Sequence, residues 1–157
     1  MKLSSCLTKI LVTRVKPSLM AFLLVLTAAH ASAGEALETK LSLVNAWVKR
    51  PMPGMMMTAG FVEITNLSDQ PLALIGVRTA VSKVAELHAM EMVDGVMKMR
   101  YADQGWQIAV GETLALAPGG KHAMLMGLQE PLQSQQQVLL EFNFAGLGWI
   151  TVNAEVR

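Results

Sequence analysis

Short apolar runs, many of them alternating with polar residues, recur along most of this chain, and clusters of Gly, Pro, Asn and Asp separate them. A period of two is that of extended backbone, where successive side chains project from opposite faces. It predicts strands over 41–49, 58–65, 72–78, 84–92, 96–101, 106–110, 113–116, 122–128, 137–144 and 149–156. Turns are expected at 51–54, 66–70, 94–95, 118–120 and 145–148, where the residues suited to chain reversal collect. No segment sustains a helical period. Ten short strands at this spacing predict a single all-β domain, an antiparallel sandwich or small barrel.

The first 33 residues follow another pattern. Lys2, Lys9, Arg14 and Lys16 precede an apolar run over 19–29, and Ala31, Ser32 and Ala33 supply a small-x-small cleavage site. This predicts a cleaved secretory signal peptide over 1–33 and a mature domain over 34–157. The apolar run is about half the length of a bilayer-spanning helix. No later segment replaces it, so a soluble, exported protein without stable membrane insertion is expected. No Cys lies beside the cut, so no lipid anchor is expected, and Cys6 belongs to the leader.

Removing the leader changes the chemistry that remains. The mature chain has no cysteine, which excludes disulfide scaffolding, thiolate zinc sites, cysteine nucleophiles and a blue-copper centre. It keeps ten of twelve methionines but only two histidines, His88 and His122. Nine Lys and Arg stand against twelve Asp and Glu, a formal charge of −3, and no basic patch suggests nucleic acid. The acidic residues are scattered singly, Ser and His share no nucleophile motif, and no phosphate-binding loop is present. The chain is not read as an enzyme.

Both surviving histidines open the same pattern: His88-Ala89-Met90-Glu91-Met92 and His122-Ala123-Met124-Leu125-Met126. On a strand each pattern sets an imidazole and a thioether on one face. Imidazole and thioether donors without carboxylate or thiolate suit Cu(I) better than Zn²⁺, Mg²⁺ or Ca²⁺, because polarizable sulfur matches a polarizable monovalent ion. Each imidazole must lose its proton before it binds, so Cu(I) affinity is expected to fall below about pH 6.

One hairpin can be read to its register. A two-residue type I′ turn at Asp94 and Gly95 pairs Val93 with Val96, Met92 with Met97, Glu91 with Lys98, and Met90 with Met99. Glu91 and Lys98 then face each other as opposite charges, and four methionines gather on the other surface. His88 falls diagonally across from Met99. His122 and Met124 are expected to complete the site from a neighbouring strand.

The spacing His88, ten residues, Met99, twenty-two residues, His122, one residue, Met124 resembles the motif of the periplasmic PCuAC family of copper chaperones. The segments 95–100 and 118–128 and Ala46-Trp47-Val48 before a Pro-Gly loop resemble family segments as well. The second interval is one residue longer than the commonest family form, a difference the loop over 103–105 can absorb. The resemblance implies a cupredoxin-like β-sandwich of Greek-key barrel type and a Cu(I) site of His88, Met99, His122 and Met124. It implies transfer by ligand exchange to a copper-accepting protein, either a cytochrome c oxidase subunit with its binuclear copper centre or a Sco-type thiol protein. Some members carry a His- and Met-rich tail; this chain ends at Arg157 without one, so a tail-based Cu(II) site is not expected.

Several residues stay open between readings. Met90 shares the face of His88 and either lines the site or is a spare donor, whereas Met92, Met97 and Met126 are read as core or rim. Met52, Met55, Met56 and Met57 crowd a Pro-Gly loop that cannot be wholly buried. They are a docking surface, a secondary Cu(I) foothold, or composition alone. Trp47, Trp106 and Trp149 are expected to pack the sandwich. A monomer is expected. The competing functions are a periplasmic Cu(I) or Ag(I) buffering protein without a dedicated acceptor, and a metal-free β-sandwich interaction module.

Overall fold

Alternating apolar residues bury one face of most strands, and the computed structural model, which describes residues 40–157, consists of ten strands and their connections. They are β1 Leu41–Val48, β2 Met57–Asn66, β3 Leu72–Arg78, β4 Ser82–Val93, β5 Val96–Tyr101, β6 Trp106–Ile108, β7 Thr113–Leu116, β8 His122–Leu128, β9 Gln137–Phe144 and β10 Gly148–Val156. The predicted signal peptide lies outside the described residues. Among the described residues no helix is long and apolar enough to cross a membrane.

Strand β9 shows how the pattern works. Val138, Leu140, Phe142 and Phe144 are buried, while the residues between them lie nearer the surface. The same alternation in β2, β4, β7 and β8 sends Val62, Ile64, Leu87, Leu114, Leu116, Ala123 and Leu125 into the same core. Burying a large aliphatic or aromatic side chain contributes about 1.5–3 kcal/mol. The core is therefore the main stabilising feature of the fold.

All strands belong to one continuous sheet in the order β5-β4-β8-β2-β1-β10-β9-β3-β6, with β7 paired to β2 beyond β8. Only three neighbouring pairs are hairpins; the others join strands distant in sequence. One pair corrects the expected all-antiparallel arrangement. β1 runs parallel to β10, with Trp47 opposite Glu155 and Val48 opposite Val156. Alternation specifies which face a residue occupies but not the direction of the neighbouring strand, so this pairing has no sequence signature.

A second correction concerns Trp149. It is 40% exposed and lies under the Arg78 guanidinium, 4.2 Å from ring centroid to carbon. Its ring thus serves an outer cation–π contact rather than the core. Trp106 does pack against the core, and Trp47 lies against Phe61 with ring centroids 4.5 Å apart.

Four adjacent strands, β5, β4, β8 and β2, carry the histidines and most of the methionines on the face turned away from Leu87, Ala123 and Leu125. The hairpin of β4 and β5 holds the register expected from the sequence, from Val93 opposite Val96 to Met90 opposite Met99. Asp94 and Gly95 both adopt positive φ, 52° and 76°, as a type I′ turn requires.

Candidate metal centre

Side chains two apart share a strand face, so His88 and Glu86 on β4 project beside His122 and Met124 on β8. The register places His88 directly opposite His122 and Glu86 opposite Met124. The two imidazole rings lie 5.9 Å apart between centroids. On its other side His88 faces Tyr101 of β5, again with ring centroids 5.9 Å apart. Met99, one register step along the same face, falls diagonally across from His88 as expected.

Hydrogen bonds fix which nitrogen of each ring carries its lone pair. His122 Nδ1 lies 3.0 Å from the Gly120 carbonyl oxygen. A carbonyl only accepts, so Nδ1 holds the proton and Nε2 the lone pair. Gly120 is itself positioned because the same carbonyl accepts from the Met90 amide at 3.2 Å. His88 Nε2 lies 2.8 Å from Glu86 Oε2. The carboxylate accepts there, which leaves the lone pair of His88 on Nδ1. That nitrogen is buried and has no hydrogen-bond partner. A buried polar atom left in this state costs about 1–3 kcal/mol.

Met99, His122 and Met124 line one cavity of about 330 Å³ whose wall also includes Met52, Met55 and Met57. His88 is not part of this wall; it adjoins the cavity through His122, directly opposite it in the β4–β8 register. His122 is 5% exposed and Met99 44% exposed, so the nitrogen donors lie deep and a thioether lies at the surface. Met90 sits beside Met99 in register but is not part of the cavity wall. Met92 and Met97 are exposed and form rim rather than core. No carboxylate lines the cavity, and among the described residues no group of three or more His, Cys, Asp or Glu converges. A second depression, about 180 Å³ between Trp47, Glu63, Pro118 and Arg157, contains no sulfur donor.

Glu86, Tyr101 and Gly120 stand outside the sequence motif yet hold its histidines in place. Alternation is the signal that finds Glu86, which precedes His88 by two residues on a strand. Tyr101 follows from extending the hairpin register two residues beyond Met99. Gly120 carries no comparable signal, because its carbonyl direction depends on the turn that precedes β8.

A family described as "Putative lipoprotein LpqE-like" matches residues 41–156, nearly the whole described chain. The chain belongs to the LpqE-like family. This LpqE-like chain is 36% identical over 101 residues to "Putative lipoprotein Lxx21020" of Leifsonia xyli subsp. xyli, covering 64% of this chain and 60% of that protein. It thus spans little more than half the length of that curated relative. Among solved structures, the copper-bound PCuAC domain from PmoF2 superposes with a TM-score of 0.61 at 20% identity, over 75% of this chain and 92% of that domain. The solution structure of Cu(I)-DR1885 from Deinococcus radiodurans gives a TM-score of 0.56 at 30% identity, over 76% of this chain and 77% of that one. The LpqE-like chain therefore has the PCuAC fold, as its His and Met spacing led one to expect.

Proposed function

We propose that this protein is an exported Cu(I)-binding chaperone of the periplasm, with residues 1–33 as its signal peptide. It holds one copper ion between His88, Met99, His122 and Met124 and releases it to a copper-accepting protein. The observation that carries this reading is the buried, unpartnered Nδ1 of His88 beside His122. A metal ion satisfies such a nitrogen, and the Glu86 carboxylate on the other ring nitrogen is the arrangement that orients metal-ligating imidazoles. The copper named in the structures of Cu(I)-DR1885 and the PmoF2 domain supports the choice of ion. So does the donor set, since two neutral imidazoles and two thioethers favour a soft monovalent cation.

The layering of the donors gives the route of exchange. Met99 is the most exposed of the four, so an incoming thiolate displaces its thioether first, with the more deeply set imidazoles still holding the ion. The thiolate binds Cu(I) more strongly than a neutral thioether and copper moves downhill toward it. A Sco-type dithiol protein and the binuclear copper centre of cytochrome c oxidase are acceptors of this chemistry. No catalytic step is assigned to the chain.

Native mass spectrometry of the exported protein with one equivalent of Cu(I) tests the site. One bound copper is expected, and it should be lost in His88→Ala and in Met124→Ala while both variants keep the strand signature in circular dichroism. Copper retained by both variants would remove the assignment. Mixing the loaded protein with a Sco-type dithiol domain should then move the copper across, and failure to move it would turn the reading from chaperone to buffer.

A further inference from the structure

The loop between β1 and β2 brings three more thioethers to the wall of the same cavity. Pro53 and Gly54 occupy the two central positions of a turn, with Gly54 at φ 81° and the Met55 amide donating to the Met52 carbonyl at 2.9 Å. This is the pattern of a type II turn, and its closing hydrogen bond draws its first and fourth residues together. Met52 and Met55 are those two residues. Met57 follows at the start of β2, paired with Met126 of β8.

The loop is anchored at both ends rather than loosely tethered. The Lys49 amide donates to Ala59 and the Arg50 amide to Arg157, while the Leu128 amide donates to the Met56 carbonyl. The structure also sorts the four methionines. Met52, Met55 and Met57 line the cavity that contains Met99, His122 and Met124, whereas Met56 lines only the neighbouring depression with Pro131 and Leu132, whose wall Met52 and Met55 share. All four are exposed, Met52 as much as 69%. The core therefore gives no account of them.

We infer that Met52, Met55 and Met57 form a second site for a soft monovalent cation, Cu(I) or Ag(I), opening onto the cavity that holds His122 and Met124. Three neutral thioethers with no carboxylate in the wall reject hard divalent ions and accept a polarizable monovalent one. Lys49 and Arg50 also line the cavity. Their charges oppose any cation in the cavity, and the loop, which offers thioethers without an imidazole, is the weaker of the two sites. It is a staging position, where an ion exchanges one thioether for another on its way between solvent and the deeper imidazoles. Only that direction of passage rests on the chaperone reading; the second site itself does not.

The test is a titration of the exported protein, labelled at its methionine methyl groups, with Ag(I) as a redox-inert probe, read by NMR and by native mass spectrometry. Two ions are expected, the second bound at least about tenfold more weakly, with the Met52, Met55 and Met57 methyl resonances moving as the second enters. Replacing those three by Leu, which conserves volume, should abolish the second ion and leave the first, whereas Met56→Leu should keep both. In His88→Ala/His122→Ala the loop methyls should still move, which separates this inference from the assignment of the deeper site. Loop resonances that stay fixed through two equivalents overturn the inference, as does a triple Leu variant that still takes two ions. If that variant keeps both ions but no longer delivers copper to an acceptor, the loop is a docking surface instead.

Discussion

Glu86 decides how His88 presents itself. Its carboxylate occupies Nε2 at 2.8 Å and so commits the ring to offering Nδ1. Removing a partner of this kind from a metal-ligating imidazole typically costs 10–100-fold in affinity. Glu86→Ala should weaken Cu(I) binding by about that factor in competition with a chromophoric chelator. The ¹⁵N shifts of His88 in the metal-free protein should show a mixture of tautomers in place of one, a signature that mere loss of stability does not produce. An unchanged affinity with an unchanged ring spectrum would return Glu86 to the role of an ordinary surface carboxylate. His122 needs no such side chain, because the Gly120 carbonyl performs the same service from the backbone.

At the scale of elements, two connections can be tested. Gly105 joins the hairpin of β4 and β5 to β6 at φ 66°, and an added Cβ would lie 1.8 Å from the Leu74 carbonyl oxygen. Backbone cannot yield as a flexible side chain does, so Gly105→Ala should cost more than ~3 kcal/mol, read as a lower urea midpoint or loss of the folded protein. Gly95→Ala, at φ 76° but with open space around it, is the milder comparison, costing ~1–2 kcal/mol. Strands β3 and β9 are tied at their surface by Arg78, whose guanidinium donates to both Glu141 carboxylate oxygens at 2.8 and 2.9 Å. Those hydrogen bonds hold the Glu141 carboxyl below its ordinary value of 4.5. A lowered folded-state value means stability that is present at neutral pH and is lost as pH falls below that ordinary value. Glu141→Gln should therefore flatten the acid limb of the thermal midpoint below about pH 4.5 and leave the shape of the curve above it unchanged.

The strands themselves were largely legible because most bury one face, the exposed β5 being read instead from its hairpin with β4. Leu72–Arg78, Val96–Tyr101, Thr113–Leu116, His122–Leu128 and Gln137–Phe144 match the bounds read from alternation. The hairpin register was legible for a stronger reason, since a two-residue turn leaves only one pairing. The His and Met residues proposed as donors stand out in the sequence as a spacing. Of their hydrogen-bonding partners, Glu86 is within reach of alternation, two residues before His88 on one strand face, whereas the Gly120 carbonyl acts through turn geometry that the motif does not encode. The parallel neighbour of β1 and the outward turn of Trp149 were hidden for the same reason: residue type reports burial tendency and not which strand or cation comes alongside.

In the whole molecule, the first and last strands of the fold lie side by side. Val48 and Val156 face each other, and the amide of Arg157 donates to the Val48 carbonyl. Most neighbouring strands in the sheet are likewise remote in sequence, and such non-local pairing makes folding slow. The domain cannot complete its sheet until its final strand has arrived. Under the export proposed above, that delay is useful: a chain that waits for its last strand is still unfolded as it crosses the membrane, and the residues proposed to hold copper come together only on the far side.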